Sequence, residues 1–171
     1  MAVAVILLLM MGRVPYCTCG EIWLWSGDIA TEHNSQHILD PYSFTHLSHG
    51  FLFFGILWLI GRRWKLESRL VVAVALETFW EVLENTDWVI DLYRSVTISW
   101  GYYGDSVLNS ISDISVMILG FILASKLPFW LTILIFIILE FILAWWIKDN
   151  LTLNILMLVY PIEAVRSWQM K

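Results

Sequence analysis

Apolar residues along this chain gather into long stretches separated by short polar connectors, so the first question is which stretches can cross roughly 30 Å of hydrocarbon. Leu127 to Ile147 is the clearest, interrupted only by Thr132 and Glu140. Leu70 to Ile90, Val107 to Ala124 and Phe44 to Ile60 follow, each carrying several polar residues. Two terminal segments are short. Met1 to Met11 is half a span without the basic flank or small-residue site of a secretory signal, and reads as a short first helix or the remnant of a start placed too late. Leu151 to Val165 contains Pro161, so it is expected to span at an angle, lie in the interface or cross with help from its neighbours. The pattern predicts an all-α multipass transmembrane helix bundle with five to six membrane segments, one integral membrane domain over residues 1–171.

Composition strengthens this picture. Hydrophobic residues make up 59% of the chain and charged residues 15%, and the mean hydropathy is +0.72. A soluble domain needs about a quarter of its residues charged to cover its surface, so a soluble enzyme, a disordered tail and a disulfide scaffold are excluded. A net charge of -5 removes the basic face that a nucleic-acid binder needs. Arg62, Arg63, Lys65, Arg69, Lys126, Arg166 and Lys171 fall on one side if the segments alternate. That side is expected to be cytoplasmic, with the Arg62 to Arg69 connector in it, and the membrane to be a bacterial inner membrane. Several of the eleven Trp lie near segment ends, as aromatic belts require. Cys17 and Cys19 are too close for an easy disulfide and too few for structural zinc, so they read as incidental, with metal or redox chemistry as the alternative.

The polar residues inside the apolar stretches are unevenly placed. Glu77, Glu81, Glu84 and Asp91 share one helical stripe, as do Asp105, Asn109 and Asp113, while His46 and His49 stand one turn apart. Carboxylates at the bilayer centre cost about 2.5–3.5 kcal/mol each, so they must face each other, a cation or water rather than lipid. These helices therefore wall a polar funnel opening outward, with Glu140 isolated from it in a pairing role and Asp105 positioned as an N-cap.

The strings E-H-N-S-Q-H-I (Glu32 to Ile38), T-H-L-S-H-G-F-L in the second segment, E-T-F-W-E-V-L-E-N (Glu77 to Asn85), G-D-S-V-L-N-S-I-S-D (Gly104 to Asp113) and K-D-N-L-T-L-N (Lys148 to Asn154) resemble an uncharacterised family of small multipass bacterial inner-membrane proteins, a domain of unknown function. The resemblance implies the location and brings no reaction. Asn109 to Asp113 is also locally similar to membrane aspartyl signal peptidases, and T-H-x-S-H to membrane-bound metal-dependent hydrolases, each over a few residues.

Three functions compete. In the first, a membrane hydrolase or transferase holds a divalent metal such as zinc on His46, His49 and His37. Glu81, Glu84 and Asp113 are then its catalytic carboxylates, Arg94, Asn109 and Asp105 bind substrate, and the substrate is a membrane lipid or lipid-linked group. In the second, Asp113 and Glu81 share a proton in a metal-free aspartic mechanism. In the third, the acids bind cations in a transporter, ion site or assembly factor, small for transport unless it forms a homo-oligomer.

Overall fold

A computed structural model describes residues 1–97 and 101–170. Among these residues the fold is all helical: α1 (Ala2–Met10), α2 (Ser43–Ile60), α3 (Leu66–Glu84), α4 (Asp87–Val96), α5 (Val107–Lys126), α6 (Phe129–Trp146), α7 (Leu151–Val159) and α8 (Glu163–Gln169). Trp25 and Leu39 form one isolated parallel bridge. Three helices, α2, α5 and α6, are long and apolar enough to cross a membrane, fewer than the five to six expected. α3 has the length, 19 residues, but its acidic stripe takes it out of that class by composition. α1 and α7 have nine residues each, about 13 Å of rise.

The stretch Leu70 to Ile90 is not one helix. It breaks at Asn85, whose side-chain amide donates to the Glu81 carbonyl and to Asp105, while the Thr86 hydroxyl caps α4 by accepting from Val89 N–H. Asp91 therefore sits exposed on α4, off the stripe it was expected to share.

α2 and α5 form the centre of the bundle because two glycines let their backbones touch. A Cβ on Gly50 would overlap the Met117 carbonyl, and one on Gly120 the Leu47 carbonyl. Toward the far end from the His pair, Leu57, Ala73, Met117 and Phe121 fill the space between α2, α3 and α5. α1 lays Ala4 and Leu8 on Val107 and Ile114 of α5. α6 buries only 6% of its apolar window, so most of its side chains face outward.

The connector between α1 and α2 closes one end of the bundle. Its Val14 and Pro15 carbonyls accept from Val107 and Leu108 N–H, supplying partners that the first turn of α5 lacks. Gln36 reaches the Gly104 carbonyl, and Asn109 the His37 carbonyl.

At the same end α7 and α8 form a hairpin turning at Pro161. The Gln169 amide donates to Asp149 and the Lys148 ammonium lies 5.3 Å over the Trp168 ring, so α8 ends beside the start of α7. Asp149 also accepts from the Tyr42 hydroxyl, just before α2. The C-terminal segment thus returns to the end of α2 opposite the Arg62 to Arg69 connector, and Arg166 does not join that cation group as the charge pattern suggested. Lys171 lies outside the described residues.

Candidate functional site

Spacing on α2 puts His46 and His49 on one face, where both reach across to Glu77 of α3. His46 Nδ1 lies 2.6 Å from Glu77 Oε1, and His49 Nδ1 lies 3.0 Å from Oε2. Carboxylate oxygens accept, so each Nδ1 donates, and in the neutral ring each Nε2 then offers a lone pair. Glu77 is fully buried and was read only as one acid of the stripe, yet it orients both imidazoles. Its place one turn from Glu81 was the available signal.

His46 carries the second half of the site. Its Nε2 is 3.9 Å from Asp113 Oδ2 of α5, and its Nδ1 is 3.3 Å from Glu81 Oε1. Asp113 also accepts from the Ser43 hydroxyl at 3.0 Å. Neither oxygen of Glu81 has a hydrogen-bond donor although the residue is fully buried, and the buried Ser48 hydroxyl of α2 and Ser110 hydroxyl of α5 are likewise without partners. A buried carboxylate in that state is satisfied by a cation or by taking up a proton. His46, Glu81 and Asp113 can each offer a ligand atom within 4.8 Å of the others, as can His46, His49 and Glu77. In the first set His46 can bind through Nε2 while Glu77 holds its other nitrogen, the outer arrangement common around ligating histidines.

A cavity of about 310 Å³ opens over this cluster. His46, His49, Glu84, Asp105 and Asp113 line its polar end, and Leu52, Phe53, Ile56, Leu76, Phe79 and Trp80 continue it between α2 and α3. Leu52, Ile56, Leu76 and Phe79 are exposed on the bundle's flank, so the cavity has an apolar side opening. Leu151, Asn154 and Ile155 of the hairpin form part of its outer wall.

The remaining expected residues divide. Glu84 lines the cavity with one oxygen unpaired. Asp105 also lines it but is not the α5 cap. It accepts from Asn85 Nδ2 at 2.8 Å and the Tyr102 hydroxyl at 3.0 Å, while Ser106 caps the helix. Burial pushes the Asp105 carboxyl above its usual range, against the pull of those hydrogen bonds. Asn109 is committed to the His37 carbonyl, and its side chain joins neither the cavity nor the His46 cluster. Arg94 is exposed, bound to the Tyr102 carbonyl and 3.6 Å from Asp91, away from the cavity lining. His37 is not with His46 and His49. It belongs to a second group in the α1–α2 connector with Cys17, Cys19 and His33. Cys17 and Cys19 are joined as a disulfide despite their spacing, their Cα atoms 5.2 Å apart and inside the usual span. Glu140 accepts from Leu151 and Thr152 N–H at 3.2 and 3.0 Å, so it caps α7.

These features define a small helical bundle with a buried histidine–carboxylate cluster under a connector cap and a side opening between two helices. The chain belongs to the family described as a protein of unknown function (DUF2585), which matches residues 8–171, in keeping with the family its strings resemble. It is 50% identical over 166 residues to a UPF0314 protein of Paracoccus denitrificans, covering 97% of this chain and 86% of that protein. It is 53% identical over 170 residues to a UPF0314 protein of Novosphingobium aromaticivorans, covering 96% and 86%. No solved structure matches.

Proposed function

We propose that this protein is a multipass inner-membrane enzyme, a metal-dependent hydrolase or transferase that works on the polar group of a lipid or lipid-linked substrate. The carrying observation is the buried, unpaired Glu81 carboxylate beside His46 and Asp113, two residues that line a cavity running into an exposed apolar cleft. His46, Glu81 and Asp113 hold the ion, with His49 poised beside them, and Glu77 fixes the imidazoles. A divalent ion there supplies Lewis acidity and lowers the pKa of a water. Glu84, at the cavity wall, is placed to move a proton, and the cleft between α2 and α3 takes the acyl or isoprenoid tail. Four helices, α2, α3, α5 and α6, cross the bilayer, with the acids of α3 turned inward, and the Arg62 to Arg69 connector lies in the cytoplasm. An ion pathway is the weaker reading, because Leu57, Ala73, Met117 and Phe121 close the bundle on the far side of the cluster.

The test is metal analysis of protein purified in mild detergent. Stoichiometric zinc, manganese or iron is expected, and His46→Ala and Asp113→Asn should each lose it while far-ultraviolet circular dichroism stays unchanged. Wild-type protein that holds no metal, and takes up none on addition of these ions, would overturn the proposal. His46 and Glu77 would then be a structural pair between helices.

A further inference from the structure

The cysteine–histidine group in the α1–α2 connector is separate from the His46 cluster and has its own chemistry. Cys17 is buried, and its sulfur accepts from Cys19 N–H at 3.3 Å and lies 3.7 Å from His33 Nδ1. Cys19, by contrast, is exposed. The Trp23 backbone N–H donates to His37 Nδ1 at 3.2 Å, so the hydrogen of His37 is on Nε2, where it is donated to His33 Nδ1 at 3.1 Å. Trp23 stacks on His37 with ring centroids 4.3 Å apart and fixes that arrangement. In the oxidised state the two sulfurs are bonded to each other, so the group has its thiol chemistry only after reduction.

We propose that Cys17 and Cys19 form a thiol–disulfide exchange centre facing the outer side, with Cys19 the sulfur that meets the partner and His33 the base for Cys17. A disulfide closed over three residues, with one sulfur exposed and the other beside an imidazole, has the features of an exchanging bond rather than of a structural one. An oxidising compartment on the outer side is where such a bond persists.

In one direction, the Cys19 thiolate attacks a partner disulfide. A Cys19–partner disulfide forms, and the first partner sulfur leaves as thiolate and takes a proton from water. His33 Nδ1 then gives up its hydrogen bond from His37 to take the Cys17 proton, and the Cys17 thiolate attacks the Cys19 sulfur. The mixed bond breaks, and the second partner sulfur leaves as thiolate and takes up the proton from His33. The partner disulfide has been reduced to a dithiol and the protein dithiol oxidised to the disulfide seen here. The reverse sequence oxidises a partner dithiol.

The probe is oxidised glutathione added to reduced, full-length protein in detergent, followed by intact mass and maleimide gel shift. Wild type should close to the internal disulfide. Cys17→Ser should accumulate one glutathione on Cys19, and Cys19→Ser should accumulate far less. His33→Ala should slow closure about tenfold near neutral pH and move the pH–rate profile toward that of an unassisted thiol. The proposal fails if the disulfide resists thiols until the protein is denatured, or if Cys17→Ser and Cys19→Ser trap glutathione equally. It fails also if reduced wild type binds added zinc stoichiometrically through His33 and His37 and glutathione cannot then oxidise it.

Discussion

Glu77 is the residue on which both imidazoles of the cluster depend, and its loss separates orientation from ligation. Glu77→Gln keeps size and one acceptor oxygen but cannot take the hydrogens of His46 and His49 on two equivalent oxygens. Affinity for zinc, read by competition with a chromogenic chelator, is expected to fall about 10–100-fold with helical content unchanged. Equal affinity would mean that packing alone sets the two rings. A second residue-scale effect follows from Asp149. Burial lifts its carboxyl to about 6 from an ordinary value of 3.8, against the hydrogen bonds from Asn150 and its neighbours. The folded state therefore binds this proton more tightly than the unfolded chain does, and stability is gained as pH falls from about 6 toward 3.8. Asp149→Asn removes that gain, so in detergent melting curves the wild type should rise relative to the variant over this window. Much of this scale was legible beforehand. His46, His49, Glu81, Glu84 and Asp113 follow from the cost of exposing them to lipid and from their spacing on three helices. The choice of Glu77 as their shared acceptor and the departure of His37 to Cys17 depend on contacts across 31 and 20 positions, which no local spacing encodes.

Among the elements, α2 and α5 make the contact that everything else is hung on. Gly120→Ala places a methyl into the Leu47 carbonyl, with backbone on both sides and no flexible side chain to yield. The two helices must separate, at about 1–3 kcal/mol by analogy with overpacked cores, and the cluster that spans His46 and Asp113 widens with them. Thermal unfolding should fall and metal affinity drop together, whereas Gly55→Ala, which meets nothing within 4 Å, should change neither. Glu140 gives the opposite dissociation. Glu140→Ala removes the acceptor of two first-turn N–H groups of α7, beside the Asn150 cap that remains, and should cost about 1 kcal/mol of stability, leaving metal content intact, because its bonds go to Leu151 and Thr152 rather than to the cluster. The pairing role read from its isolation was a helix cap, visible only once α7 turned back toward α6. The helices themselves were largely legible from apolar run length, α6 most clearly. The break at Asn85 was not, because Asn85 and Asp105 bond across 20 positions and end a pattern that locally continues.

For the whole molecule, the α7–α8 hairpin changes the charge argument on which orientation rests. The sequence pattern put seven cations on one side, but Arg166 now joins Arg13, Arg94 and Lys148 at the connector-cap end. Arg62, Arg63, Lys65, Arg69 and Lys126 stay at the other end, four of them crowded into one short connector and its flank, where basic residues weigh most in setting topology. The proposed direction of insertion therefore stands on these five residues, with the C-terminal segment proposed to lie on the opposite side from them. A hairpin of nine and seven residues rises at most about 13 Å, too little to reach the far headgroups. In cells, a C-terminal alkaline phosphatase fusion should be active and a fluorescent protein fused there by the same transport route dark, while Lys65→Cys stays protected from an impermeant maleimide until the membrane is opened. Labelling of Lys65→Cys from outside intact cells would invert the whole arrangement and turn the histidine–carboxylate cavity toward the cytoplasm. Protection of both the Lys65 position and the C-terminus would instead mean that α7 and α8 cross, and that the Gln169–Asp149 contact does not exist in the membrane.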